Sequence, residues 1–171
     1  MKATLVNGST IRFERLLPGP VERVWAYLTD SDKRATWFAG GEFDLRIGGR
    51  IELNFAHENL SADKTAPERY KNAARSRFEG RITRLEPLRA LAYTWKWGEE
   101  DSEVLFELAP KGNDVLLTIQ HRLPGPREQK VSVASGWDTH TGILADVLSG
   151  VEPRPFWTTH GKLEQEYAAT L

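Results

Sequence analysis

The sequence contains no cysteine, and its 171 residues include a single methionine. The lack of cysteine excludes disulfide bonds, thiolate nucleophiles and metal sites built on cysteine. It is also typical of a reducing compartment. The N-terminus has no apolar run of signal-peptide length, so we expect a cytoplasmic protein. No run elsewhere approaches membrane-spanning length, so we expect no membrane insertion.

A large excess of charge of either sign is also missing. The 23 Lys and Arg residues oppose 24 Asp and Glu residues, which leaves a formal net charge of −1. This balance provides no basic surface of the kind that nucleic-acid binding requires, so we expect no nucleic-acid partner. The length and the apolar share of 40% predict a single domain over residues 1–171. Pro153 and Pro155 introduce a final helix, so residues 152–171 are predicted to form a C-terminal helical extension.

Tryptophan, in contrast, is abundant, with six residues in the chain. Segment 80–97 shows why this matters, because alternate residues of a strand share one face. The second half of this segment places one aliphatic and three aromatic side chains on a single face, namely Leu91, Tyr93, Trp95 and Trp97. So much bulk indicates either a thick core or the wall of a cavity, and the sequence leaves both open.

Hydrophobic periodicity predicts an α+β fold in which a first strand is followed by two short helices, five or six further strands and two C-terminal helices. The predicted strands lie at 10–17, 42–47, 50–57, 77–86, 90–97, 102–108 and 115–122, and the predicted helices at 21–28, 29–38, 133–148 and 156–167. The short connections favour antiparallel neighbours, and the helices are expected to cover one face of the sheet.

Segment 58–76 differs from the rest of the chain, because its nineteen residues are mostly polar. Loops of this length inside a compact domain are usually lids, binding loops or disordered segments. The segment is therefore either a mobile gate to a site or a surface loop with no role.

Several short motifs occur in the order found in a known superfamily. They are Val24-Trp25, Thr29-Asp30, Trp37-Phe38, Ile47-Gly48-Gly49, Glu86-Pro87, Tyr93-Thr94-Trp95 and Gly136-Trp137, followed by the tail Pro155-Phe156-Trp157. On these motifs the chain resembles the START-like (SRPBCC) superfamily, and within it the branch resembling the C-terminal domain of activators of heat-shock-protein-90 ATPase. The resemblance extends over essentially the whole chain.

This resemblance implies a helix-grip fold, in which a curved antiparallel sheet of six to seven strands wraps around a long C-terminal helix. It also implies an apolar cavity between the sheet and that helix. Members of the superfamily bind lipids, hormones or polyketide-like molecules, and some are cyclases or other enzymes. The separate N-terminal domain of the chaperone activators has no counterpart in this sequence, so we do not expect direct stimulation of a chaperone ATPase.

The leading hypothesis is a noncatalytic protein that binds a small hydrophobic or aromatic molecule and uses no cofactor. Ligand pockets are mainly apolar with a few placed polar groups. The residues expected to line the cavity are Phe55, Phe78, Tyr93, Trp95, Phe106, Ile119, His121, Trp137, His140, Thr141 and Leu144. A fully packed core made of the same residues is the alternative.

Motifs for catalysis and metal binding are missing from the sequence. It has neither the Gly-x-Ser-x-Gly motif of a serine nucleophile nor a glycine-rich phosphate loop. His57-Glu58 resembles the start of a zinc motif, but Ser61 occupies the position of the second ligand, so we predict no metal site. We likewise predict no catalytic residue.

Two further functions remain open from the sequence. One is an enzyme of the cyclase, dehydratase or hydrolase type, with His140 or His121 and Tyr93 as acid–base groups. The other is an interaction module, either a chaperone accessory or a homodimer that uses Phe156 and Trp157.

Overall fold

The computed structural model describes residues 1–97 and 100–171, and the side chains of residues 97 and 100 lie outside this description. The strands are β1 (Thr4–Val6), β2 (Thr10–Pro18), β3 (Arg50–Asn54), β4 (Arg77–Glu86), β5 (Ala90–Trp97), β6 (Glu100–Lys111) and β7 (Asp114–Arg122). The helices are α1 (Val21–Thr29), α2 (Ser31–Ala35), α3 (Lys71–Ala74), α4 (Arg127–Leu148) and α5 (Phe156–Thr170). The prediction that the Trp97 side chain shares the face of Trp95 therefore falls outside the described residues.

The seven strands form one antiparallel sheet in the order β1-β2-β7-β6-β5-β4-β3. Strands β2 and β7 are far apart in sequence, and their pairing joins the start of the chain to the last strand. Within this part of the sheet Phe13 lies opposite Ile119, and Ile119 lies opposite Phe106. All three side chains are buried because alternate residues of each strand point toward the helices.

The sheet bends at β4. The register of β4 against β5 shifts between Ile82 and Arg84. Next to this shift, a Cβ atom on Gly80 would lie only 1.8 Å from the carbonyl oxygen of Thr94, so only glycine permits the approach of the two backbones. Irregularities of this kind increase the local bend and twist of a strand, which here curves the β3–β4 edge around the helices.

Helix α4 carries the side chains that fill the concave face of the sheet. Trp137, Ile143 and Leu144 of this helix are buried, and α5 packs along its other side. The α1–α2 connection is held by Arg34, whose buried guanidinium donates to backbone carbonyl groups, including that of Ala39 at 2.9 Å. A curved antiparallel sheet around a long C-terminal helix confirms the predicted α+β architecture.

Several local predictions differ from the structure, among them the second helix, which was predicted over 29–38 but spans only Ser31–Ala35. Residues 42–47 were predicted to form a strand, but they form only an isolated bridge, Phe43 to Ile51, because Gly41 and Gly48 adopt positive φ values and turn the chain. The short strand β1 was missed, and helix α4 begins at Arg127 rather than at residue 133. Within the described ranges, no helix is both long and apolar enough to cross a membrane.

Candidate ligand-binding cavity

A cavity of about 140 Å³ lies where the concave face of the sheet meets α4, α5 and the segment of residues 57–76. Most of the side chains that line it are aromatic or aliphatic. The lining residues are Phe38, Phe55, His57, Tyr70, Ala73, Ser76, Phe78, Trp95, Ser132, Val133, Gly136, Trp137, His140, Phe156, Trp157 and His160. None of these described residues is Lys or Arg, so the lining supplies no cation to an anionic ligand.

The walls of the cavity are aromatic rings in contact with one another. Phe55 stacks on Trp95 with a centroid distance of 5.7 Å, and the rings of Phe38 and Trp137 are 5.0 Å apart. On the opposite side, Phe156 of α5 lies 4.7 Å from the ring of His57. Aromatic pairs at these distances stabilise one another beyond simple burial, so the walls are held in defined positions.

Three histidines line this apolar cavity, and two of them, His57 and His140, each have one ring nitrogen bound to a backbone carbonyl. Nδ1 of His140 lies 2.8 Å from the carbonyl oxygen of Trp37, and Nδ1 of His57 lies 2.9 Å from that of Ala74. Because a carbonyl oxygen only accepts, each Nδ1 carries the proton and each Nε2 carries a lone pair. Among the described residues, the hydrogen bonds of these two rings involve Nδ1 and none reaches Nε2.

Burial keeps these two rings uncharged. Desolvation lowers the pKa of His57, and it lowers the pKa of His140 to well below its ordinary value, with the nearby His57 ring as a second cause. The ring centroids are 5.3 Å apart, so a proton added to one ring would disfavour a proton on the other. At neutral pH both imidazoles therefore act as hydrogen-bond acceptors through Nε2.

The polar groups at the mouth of the cavity are bound to one another. The Tyr70 hydroxyl donates to Glu164 at 3.1 Å, and the Ser132 hydroxyl lies 3.1 Å from the Tyr70 oxygen. Since the Tyr70 proton is used for Glu164, Ser132 donates to Tyr70. Glu164 also pairs with Arg69, and Nδ1 of His160 lies 3.5 Å from its carboxylate. This cluster fixes α5 against α4 at the mouth.

Segment 57–76 forms part of the cavity wall and is attached to the start of α5. The hydroxyl of Ser61 accepts from the backbone N–H of Phe156 at 3.0 Å. The carboxylate of Asp63 accepts from the backbone N–H of Thr158 at 2.8 Å. A role of this segment as a mobile gate stays a prediction.

His121 belongs to a closed network beneath the cavity. The indole Nε1–H of Trp137 donates to Nδ1 of His121 at 3.0 Å, so the proton of the ring lies on Nε2, which donates to the Ser102 hydroxyl at 3.0 Å. Ser102 in turn donates to the carbonyl oxygen of Trp95. Complete burial lowers the pKa of His121 to about 3, and both of its nitrogen atoms are occupied.

The structure brings together five of the residues that the sequence analysis placed around a cavity: Phe55, Phe78, Trp95, Trp137 and His140. The other six do not line this cavity but lie in the close-packed interior: Tyr93, Phe106, Ile119, His121, Thr141 and Leu144. These six side chains also point from their strands or helix into the interior, but other side chains separate them from the cavity. Thr141, for example, accepts from Arg15 of β2 at 2.9 Å instead of facing the cavity.

Sequence reasoning missed the contributions of α5 and segment 57–76. His57, Phe156, Trp157 and His160 all line the cavity. The spacing of the last three along one side of α5 is a helical signal that could have indicated a buried face. The expectation that Phe156 and Trp157 form a dimer surface is wrong for this structure, because both side chains are buried, with 1% and 7% of their surface exposed.

A metal centre requires several ligands close together. Within the ranges that the structure describes, no group of three or more His, Asp or Glu side chains could hold a metal ion. Trp157 has a buried Nε1–H without a hydrogen-bond partner among the described residues, and protein atoms cover it on all sides. The polar chemistry available to a ligand therefore centres on His57 and His140.

A curved seven-stranded antiparallel sheet, a long C-terminal helix and an apolar cavity between them define the START-like superfamily, a fold class associated with small-molecule binding. The family model described as "Activator of Hsp90 ATPase homolog 1-like protein" matches residues 18–149. The chain therefore belongs to this family, as its motifs indicated.

Solved structures support the same fold. The protein encoded by gene BPP1335 of Bordetella parapertussis is 47% identical, with a TM-score of 0.82 over 98% of this chain and 89% of that chain. CalU16 of Micromonospora echinospora is 24% identical, with a TM-score of 0.70 over 98% and 93% of the two chains. DynU16, from the dynemicin biosynthetic locus, is 22% identical, with a TM-score of 0.66 over 85% of this chain and 49% of that chain. No curated protein matched the sequence.

Proposed function

We propose that this protein binds a small, neutral aromatic molecule in the cavity between the sheet, α4 and α5. The proposal rests on the volume of the cavity together with its aromatic lining. The cavity measures about 140 Å³ and is walled by aromatic rings. An apolar cavity of about 150 Å³ in another protein stays dry and binds benzene. A single six-membered ring therefore fits without any movement of the walls.

The charge of the lining favours a neutral ligand. Neither Lys nor Arg is among the described lining residues, and burial lowers the pKa of each of the three lining histidines, His57, His140 and His160. Transfer of an unpaired anion into such surroundings costs far more than an aromatic ring gains by burial. Lipids and polyketide-like molecules, which the resemblance also allowed, are larger than 140 Å³ and would extend beyond the cavity.

The residues considered for acid–base catalysis do not meet at one site. Tyr93 and His121 lie outside the lining of the cavity, and both nitrogen atoms of His121 are bound to the protein. Only His140 of that set lines the cavity. A general base needs a reacting group and supporting residues within hydrogen-bond reach, so we propose binding rather than a reaction.

Gly136 allows a sharp test of the proposal. It lines the cavity from α4, and a Cβ atom built on it meets no heavy atom within 4 Å. We expect Gly136→Leu to fold normally, because removal of a helical glycine adds about 1 kcal/mol of stability, and to abolish binding, because its side chain occupies the cavity. Gly161→Leu is the matched control, since Gly161 of α5 also has open space around its Cβ but does not line the cavity.

The measurement is a ¹H–¹⁵N NMR titration of the protein and both variants with benzene and toluene. We expect saturable shifts centred on residues such as Phe38 and Trp137 for the unmodified protein and for Gly161→Leu, and none for Gly136→Leu. The proposal would be contradicted if Gly136→Leu bound benzene and toluene as tightly as the unmodified protein does, or if the shifted resonances belonged to residues far from the cavity.

A further inference from the structure

We infer that the natural ligand is a phenol, whose hydroxyl group donates a hydrogen bond to the Nε2 atom of His140 or His57. This inference rests on the proposed function and names the chemical class of its ligand. Each of these two rings lines the cavity, and each has its Nδ1–H committed to a backbone carbonyl, of Trp37 or Ala74. The remaining polar atom of each ring, Nε2, is a hydrogen-bond acceptor.

Three donors around the cavity are already used by the protein, and the Nε1–H of Trp157, which has no partner among the described residues, is buried among protein atoms. The Tyr70 hydroxyl donates to Glu164. The Ser76 hydroxyl donates to the carbonyl oxygen of Ala73, and the indole N–H of Trp137 donates to His121. A ligand group that only accepts, such as a carbonyl or an ether, would face two more acceptors there. A hydroxyl group supplies the proton that the imidazole lone pairs lack, so the site is matched to a donor.

The two histidines also exclude the ionised form of such a ligand. A phenolate has no proton to donate, and its charge would lie beside the lone pairs of His57 and His140, with no cation among the described lining residues. The same argument excludes a benzoate. The ligand is therefore an uncharged ring that carries at least one hydroxyl group.

Phenol and toluene form a matched pair of probes for this inference. They have nearly the same size and differ by a hydroxyl in place of a methyl group. In a cavity with no acceptor, toluene would bind more tightly, because burial of an unpaired hydroxyl group is costly. A hydrogen bond to a neutral imidazole offsets that cost, so we expect phenol to bind at least as tightly as toluene.

Asparagine is the informative replacement at both histidines. Its amide nitrogen lies close to the position of Nδ1 and still donates to the carbonyl oxygen of Trp37 or Ala74, whereas the acceptor at the Nε2 position is removed. We expect His140→Asn, His57→Asn or the double variant to reduce the ratio of phenol to toluene affinity by about tenfold, the usual effect of one lost hydrogen bond. Binding of toluene by each variant shows that the cavity is intact.

The experiment is a calorimetric or NMR titration of the whole protein and the three variants with phenol, toluene and pyridine, a ring of the same size that only accepts. The inference is supported if phenol binds at least as tightly as toluene and if an Asn variant reduces the ratio of phenol to toluene affinity. If toluene binds tenfold more tightly than phenol and the variants leave the ratio unchanged, or if pyridine is preferred, the inference fails while the proposed function stands. If none of the rings binds, both fail.

Discussion

Asp138 of α4 connects three parts of the molecule through its two carboxylate oxygen atoms. One oxygen accepts from the guanidinium of Arg15 on β2 at 2.6 Å, and the other accepts from the hydroxyl of Tyr167 on α5 at 2.7 Å. The Tyr167 oxygen in turn accepts from the backbone N–H of Ala3 at 2.9 Å. Burial is the main cause of the raised pKa of Tyr167. One carboxylate thus connects the sheet to both long helices and, through Tyr167, to the residue that precedes β1.

We expect Asp138→Ala to destabilise the fold by about 3 kcal/mol, because loss of one partner leaves the Arg15 charge and the Tyr167 hydroxyl unpaired in a mostly buried position. Urea unfolding followed by tryptophan fluorescence gives the free energy. Glu166→Ala is the control, because Glu166 forms an ion pair with Lys2 that is more than half exposed and should contribute little. Equal losses in the two variants would show that the Asp138 network has no special role.

At the scale of single elements, the bend in β4 determines whether the β3–β4 edge reaches the helices. Phe78 of β4 and Phe55, just after β3, contact Trp95 at centroid distances of 5.6 and 5.7 Å. These contacts place the rim of the cavity next to α4.

Gly80→Ala is expected to destabilise the protein by more than about 2 kcal/mol, because its Cβ would overlap the carbonyl oxygen of Thr94 and force the two strands apart. Gly161→Ala on α5 serves as the opposite control, since its Cβ meets no neighbour and a helical alanine is favoured by up to about 1 kcal/mol. Thermal unfolding distinguishes the two variants, because we expect Gly80→Ala to lower the melting temperature and Gly161→Ala to raise it. A neutral or stabilising Gly80→Ala would refute the importance of this close approach.

At the scale of the whole molecule, all four histidines are buried and all four have lowered pKa values, with desolvation as the largest cause. An unfolded histidine has a pKa of about 6.5. Below that pH the unfolded chain binds protons that the folded protein does not, so stability must fall as the pH decreases. For His121 the loss continues down to a pH of about 3.

Stability is therefore expected to change little above pH 7 and to decline between pH 6.5 and pH 5. The slope should reach as much as about 1.4 kcal/mol per pH unit for each histidine that stays neutral in the folded protein. Urea unfolding at pH 7.5, 6 and 5 measures the free energy of unfolding at each pH. Most carboxylates titrate below this range, so the change reports mainly on the histidines. Constant stability from pH 7.5 to pH 5 would contradict the neutral, buried state of these rings.

The sequence by itself determined the fold class and most of the elements. Alternation at 77–86, 90–97 and 115–122 predicts strands that the structure contains, because a half-buried strand must repeat its apolar residues every two positions. Phe55 and Trp95 were placed on inward faces for the same reason, and Trp137 was placed on one by the helical spacing of the apolar residues around it. Residues 42–47 show the limit of this pattern, since alternation there coexists with glycines that turn the backbone.

Only the tertiary structure decided which inward-facing residues surround open space. Periodicity assigns a side chain to a face, but whether that side chain meets another atom depends on how far the opposing elements stand apart. Trp95 and Leu144 both face inward, yet only Trp95 lines the cavity, because α5 and segment 57–76 stand off from the sheet near one end of α4. The excess aromatic bulk on β5 thus serves both purposes, with Tyr93 in the packed core and Trp95 in the cavity wall.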